Sequence, residues 1–143
     1  MDRQKIKCVA VIQCDVARER CSGAHCAISF VGRNGYFAGY GPEAVYYVPF
    51  QCGGCPGRRV SRLGHNLRKA MKSQGLEPDQ IAVHLASCLV TDNGHYPPCP
   101  HLADIRLMLS RKGLRVVEGT RISDSADRQR QAGHYKPRPP LEP

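Results

Sequence analysis

Three short apolar, β-branched runs in this chain each close on a cysteine: KIKCVAVIQC (5–14), VYYVPFQC (45–52) and IAVHLASC (81–88). Runs of this length, bounded by polar and glycine-rich turns, predict strands, and the first is apolar enough to be buried on both faces. Stretches with helical spacing separate them. Val60, Leu63, Leu67 and Met71 form one stripe within 58–74, and Gly75 supplies a stop. Pro100 opens another such stretch as a tolerated first-turn residue, with Leu102, Ile105, Met108 and Leu109 facing inward and Gly113 at its end. A short helix is expected over 24–31, and residues 114–118 read as a fourth strand. Strands alternating with helices predict an α/β fold. The simplest form is a three-layer sandwich around a four-stranded parallel sheet of order 2-1-3-4, flavodoxin-like in outline. Pro49 points to an edge position or an early end for the second strand, because proline cannot donate to a ladder.

In a sheet of this kind the carboxyl ends of the strands share one edge, and ligands bind in the crevice there. Cys14, Cys52 and Cys88 are therefore expected to converge from positions far apart in the chain. Cys55 follows Cys52 in CGGCPG; this spacing lets two thiolates grip one ion, and the glycines permit the tight turn. The motif leads into the 58–74 helix, whose dipole would lower thiol pKa values, and that suits a metal ligand and a redox nucleophile equally. Cys21 and Cys26 frame CSGAHC, and Cys99 and His101 lie in CPH at the start of the last helix. Cys8, inside the first strand, reads as a small core hydrophobe, and His84, inside the third, as a satisfied core histidine.

Zinc takes four ligands, so the thiols outnumber one site. Cys14, Cys52, Cys55 and Cys88 form the expected core of a zinc site, with Cys21, Cys26, Cys99 and His101 as a second site or outer shell. Three arrangements stay open: two zinc sites, an iron–sulfur cluster on four cysteines, or one metal beside a redox pair. A different class of function is a thiol oxidoreductase or thiol-dependent hydrolase with Cys52 or Cys55 as nucleophile. Arg58, Arg59 and Arg121 would then hold a small anionic ligand.

At 143 residues the chain is expected to form one domain over 1–121, followed by a basic, proline-rich and disordered tail over 122–143. The formal net charge is +9, concentrated on the 58–72 helix. A solvated helix face explains that stripe better than nucleic acid does, since the aromatic residues at 36–50 lie away from it and offer no stacking platform. After MDRQKIK no apolar stretch is long enough for a signal peptide or membrane span. The expected location is the cytoplasm, where thiols stay reduced and eight cysteines read as ligands or redox groups.

The strand ending at Cys14, the Cys21–Gly23–Cys26 element, CGGCPGRR (52–59), HLASC (84–88) and CPH (99–101), in this order, resemble the CGGC-domain family over about residues 7–120. The resemblance implies a cysteine- and histidine-based metal-binding domain, with zinc the expected ion. One position departs from the pattern. The family closes its fourth strand with Gly-Thr-His, whereas this chain has Gly119-Thr120-Arg121. Arginine has no lone pair to offer a metal, but it can bind an anion.

Overall fold

The computed structural model describes residues 1–92 and 97–141. Four strands form one all-parallel sheet of order β2-β1-β3-β4: β1 (Cys8–Gln13), β2 (Tyr46–Gln51), β3 (Ile81–Leu85) and β4 (Arg115–Glu118). The predicted three-layer α/β architecture and strand order are therefore observed. All six residues of β1 are buried, as its apolar run requires of a strand paired on both sides.

β2 is an edge strand, and Pro49 fits there for a geometric reason. Tyr46 N–H donates to Lys7 O (3.3 Å) and Cys52 N–H to Gln13 O (3.0 Å), so even-numbered amides face β1. Pro49, one residue out of phase and in register with Val11, turns its missing donor toward the open edge.

The helices are α1 (Ala24–Gly32), α2 (Val60–Lys72), α3 (Ser87–Val90), α4 (Leu102–Ser110) and α5 (Asp124–Gln131). One layer is built by α2 and α4, whose Val60, Leu67, Met71, Ile105 and Leu109 pack on Cys8, Ala10, Ile12, Val83 and Leu85. The opposite layer rests Phe30 of α1, Phe37 and Tyr40 on Val9, Val11 and Ala82. Alternation along each strand thus sorts its residues between two cores. In α2 the buried stripe uses Gly64 where Leu63 was expected, because a Cβ at Gly64 would already lie 3.2 Å from Leu109 Cδ2 across the helix contact.

His84 is a core histidine, as expected. Its Nδ1 meets Gly119 O at 2.8 Å and its Nε2 meets Tyr40 OH at 2.6 Å; burial drives its pKa down to about 3, so the ring is neutral.

Beyond residue 121 the chain forms α5 and then continues over the body of the domain. Ser123 caps α5 by accepting from Ala126 N, with acidic residues in the first turn and basic ones in the last. The chain then returns over the body of the protein. Lys136 N donates to Asp92 Oδ2 (3.0 Å), Tyr36 OH donates to Pro139 O, and the Arg138 guanidinium lies over the Tyr36 ring. A polar cap and a few anchors hold a segment that hydropathy alone leaves without a core. Residues 142 and 143 of that expected tail lie outside the described residues. Among the described residues no helix is long and apolar enough to cross a membrane.

Candidate metal centre and adjoining cavity

The carboxyl edge is stitched beyond the strands themselves. Cys52 N–H donates to Gln13 O, Ala86 N–H to Ile12 O (2.9 Å) and Gly119 N–H to Leu85 O (2.7 Å). At the junction of β1 and β3 the order reverses: the chain leaves β1 toward β2 and leaves β3 toward β4, which opens a crevice. All the cysteines except Cys8 follow strand ends or open helices around this edge.

They fall into two groups. Cys14 and Cys52 continue the alternation of Ala10–Ile12 and Val48–Phe50 onto the α2–α4 face, where Cys99 also packs. Cys52 is only 6 % exposed and its Sγ accepts from Asp15 N at 3.4 Å. Cys55 stands exposed one turn away. That turn requires its glycines, since Gly53 (φ 82°) and Gly54 (φ 93°) are both left-handed, and a Cβ on Gly53 would sit 2.4 Å from Arg59 Cγ. Burial pushes the Cys99 thiol pKa up; the His101 N–H donated to its sulfur opposes this, and the nearby Cys55, Cys52 and Cys14 add to it. Cys14, Cys52 and Cys99 thus lie on one face, with Cys55 one turn beyond Cys52 and His101 at the start of α4.

Cys88 goes elsewhere. β3 ends at Leu85, and the α3 turn carries Cys88 to the α1 face, against the other core. The expected grouping of Cys88 with Cys52 and Cys55 is replaced by one with Cys21 and Cys26. Cys14 stands at the divide, its N–H donating to Cys88 Sγ at 3.4 Å. Burial drives the Cys88 pKa up to about 12 despite that hydrogen bond, and Cys26, Cys14 and Cys21 raise it further. Cys26 is also raised, first by burial; hydrogen bonds from Thr120 and Gln13 oppose the shift. Its Sγ lies 3.3 Å from Thr120 Oγ1. Cys21 is exposed, its sulfur accepting from Gly23 N.

Cys21, Cys26 and Cys88 line a cavity of about 500 Å³. Its walls come from the end of β1, the 17–21 turn, α1, α3, the end of β4 and α5, and they carry Arg18, Arg20, Arg121 and Arg130. Ser87 and Thr120 lock two of these walls together: each N–H donates to the other's hydroxyl at 3.1 Å, and Ser87 Oγ donates to Arg121 O at 2.7 Å. Arg121 therefore reaches the carboxyl edge, as strand four requires, and lines this cavity together with Arg18 and Arg130. Arg58 and Arg59 follow the CGGC turn at the start of α2, and neither lines the cavity. α2 begins at Val60, so a turn separates the CGGC thiols from the helix amides expected to act on them directly.

The CGGC domain family model matches residues 8–121. The chain belongs to the CGGC domain family. That span contains both thiol groups of this CGGC domain and stops at Arg121, short of α5. No curated protein and no solved structure matches the chain. Among the described residues of the domain, no three histidine, cysteine, aspartate or glutamate side chains are already grouped to hold a metal ion.

Sequence reasoning missed Arg18, Arg130 and the Ser87–Thr120 clasp. A signal for one of them was present: Ser123 followed by DSADRQRQ has a cap, an acidic first turn and a basic last turn, the pattern of a helix that could deliver Arg130.

Proposed function

We propose that this CGGC domain binds a soft metal ion, zinc foremost, through the thiolates of Cys14, Cys52, Cys55 and Cys99. The observation that carries this reading is the packing of two in-phase strand-end thiols with Cys99 on one face, the second CGGC thiol lying one turn beyond Cys52. The set fits such an ion in kind and number, since four sulfurs complete a tetrahedral zinc shell. The ligand is the thiolate, so binding releases protons and draws the donors inward. Cys55, exposed on a glycine turn, has the freedom to close the set. His101 is an alternative donor beside Cys99. A zinc ion saturated by four thiolates would act as a structural tie between β1, the CGGC turn and the start of α4. Such a domain works where thiols stay reduced, in the cytoplasm.

The test is elemental analysis and a visible spectrum of the full chain, purified anaerobically without added metal. One zinc per chain in a colourless protein is the expected result, lost in Cys52→Ser and Cys99→Ser and kept in Cys26→Ser. Iron with sulfide and a brown colour would reassign the same thiols to a cluster. Zinc retained by both the Cys52 and Cys99 variants would overturn the site. A second reading, a thiol oxidoreductase, draws on the contrast between exposed Cys55 and nearly buried Cys52. A metal-free protein in which Cys55 alkylates far ahead of the other thiols would favour it.

A further inference from the structure

The cavity on the α1 side has a charge balance opposite to that of a metal site. Arg18, Arg20, Arg121 and Arg130 line it, and Asp92 is the acid among the lining residues. Asp92 also accepts from Lys136 N. The side chains of Arg18 and Arg130 are held by polar contacts. Arg18 Nη1 donates to Cys21 O (2.9 Å), and its Nε donates to the Gln51 side-chain oxygen (3.1 Å) when that amide takes the orientation satisfying both its neighbours. Arg121 is fixed through its backbone by Ser87, while its guanidinium has no hydrogen-bond or ion-pair partner among the described residues. Arg130 pairs through Nη1 with Asp127, but that carboxylate is shared with Arg138, and the buried Nε of Arg130 has no partner among the described residues. A cavity lined by four arginines and one carboxylate carries an excess of cationic donors over acceptors, which favours an anion.

We infer that this cavity binds a tetrahedral oxyanion, a phosphate or sulfate group, with Arg121, Arg18 and Arg130 as its cationic contacts. Planar guanidinium forks match the oxygens of such groups in pairs. The volume of about 500 Å³ far exceeds a bare phosphate and falls in the range that encloses a small organic molecule, so the oxyanion is carried on one. The residues used differ from the four thiols of the proposed metal centre, and the inference stands without that centre.

The experiment is calorimetric titration of the full chain at low ionic strength with inorganic phosphate and, separately, with phenyl phosphate. It is repeated on Arg121→Gln, Arg130→Gln, Arg58→Gln and the metal-free Cys52→Ser protein. Saturable binding is expected, tighter for phenyl phosphate and weakened by added salt. Loss of one charged hydrogen-bonding contact in Arg121→Gln should weaken it by about tenfold or more. Arg58→Gln and Cys52→Ser should bind as the parent does. Equal affinity for the two ligands would still support the site and make free phosphate its ligand. Arg130→Gln also breaks an ion pair within α5; should it fail to fold, Arg121→Gln, whose guanidinium has no hydrogen-bond or ion-pair partner among the described residues, carries the test. Absence of saturable binding would overturn the inference, as would binding indifferent to Arg121 or abolished by Arg58→Gln.

Discussion

On the α2–α4 face of the carboxyl edge, Cys14, Cys52 and Cys99 pack in one cluster, with Cys55 exposed one turn beyond Cys52. On the α1–α5 face, Cys21, Cys26 and Cys88 share a cavity with four arginines. One residue type, delivered to one sheet edge, thus meets two different environments. The first is suited to gathering negative thiolates around a cation. In the second, burial raises the pKa values of Cys26 and Cys88, and arginines line the same walls. A count of cysteines is therefore not a count of ligands; the face each one occupies decides what it can do.

The largest test of this contrast is metal affinity, measured by competition with a chromophoric chelator. Cys99→Ser or Cys52→Ser should lose more than the roughly hundredfold that removing a partner outside a coordination sphere can cost. Cys26→Ser should change affinity little. Equal losses on both faces would merge the two groups into one site.

Next in size is Gly53→Ala. It forces a side chain into a left-handed residue and against Arg59, and should destabilise the fold by about 1–3 kcal/mol in urea unfolding. Zinc affinity should fall with it, while phosphate binding in the still-folded protein should not. A neutral substitution would mean that the CGGC turn has room to relax.

The buried thiols add a pH dependence with a definite sign. Burial raises Cys8 from 9.0 to about 12, so the folded state holds that proton more tightly than the unfolded chain does. Its contribution is fully present below pH 9 and is lost as the pH climbs toward 12. Metal-free protein should therefore lose up to about 1.4 kcal/mol per pH unit for each such thiol across that window. Replacing Cys8 with Ala should flatten one share of the slope, and unfolding curves at two alkaline pH values would show it. Pulse alkylation should label exposed Cys21 and Cys55 first, and Cys88 only as the pH rises. Rapid labelling of Cys88 at neutral pH would contradict the neutral-thiol picture of the cavity.

The smallest effect belongs to Ser123→Ala. Loss of this helix cap should cost about 1 kcal/mol, confined to α5 and read as faster amide exchange there. Phosphate binding should weaken slightly because Arg130 is less firmly placed. Unchanged exchange would show that the anchors at Tyr36 and Asp92, and not the cap, hold the segment.

Much of this molecule was written in local periodicity. Unbroken apolar runs marked the strands, their alternation with amphipathic stretches implied the parallel sheet, and Pro49 marked the edge. In the structure, two-residue alternation carries through to the faces: Cys14 is in phase with Ala10 and Ile12, and Cys52 with Val48 and Phe50. Periodicity ends where a strand ends. Cys88 lies three residues past Leu85, in a helical turn whose direction is set by Ser87 bonding to Thr120, 33 residues away. Arg121 and Cys26 owe their shared cavity to contacts spanning 34 and 94 residues. The residues after 121, poor in apolar groups, were held by a cap and a handful of anchors that no average over composition can register. The sequence by itself determined which cysteines reach the carboxyl edge, because strand and helix patterns are local. Only the tertiary structure decided which of them face one another, because the turns beyond the strands are aimed by contacts between distant parts of the chain.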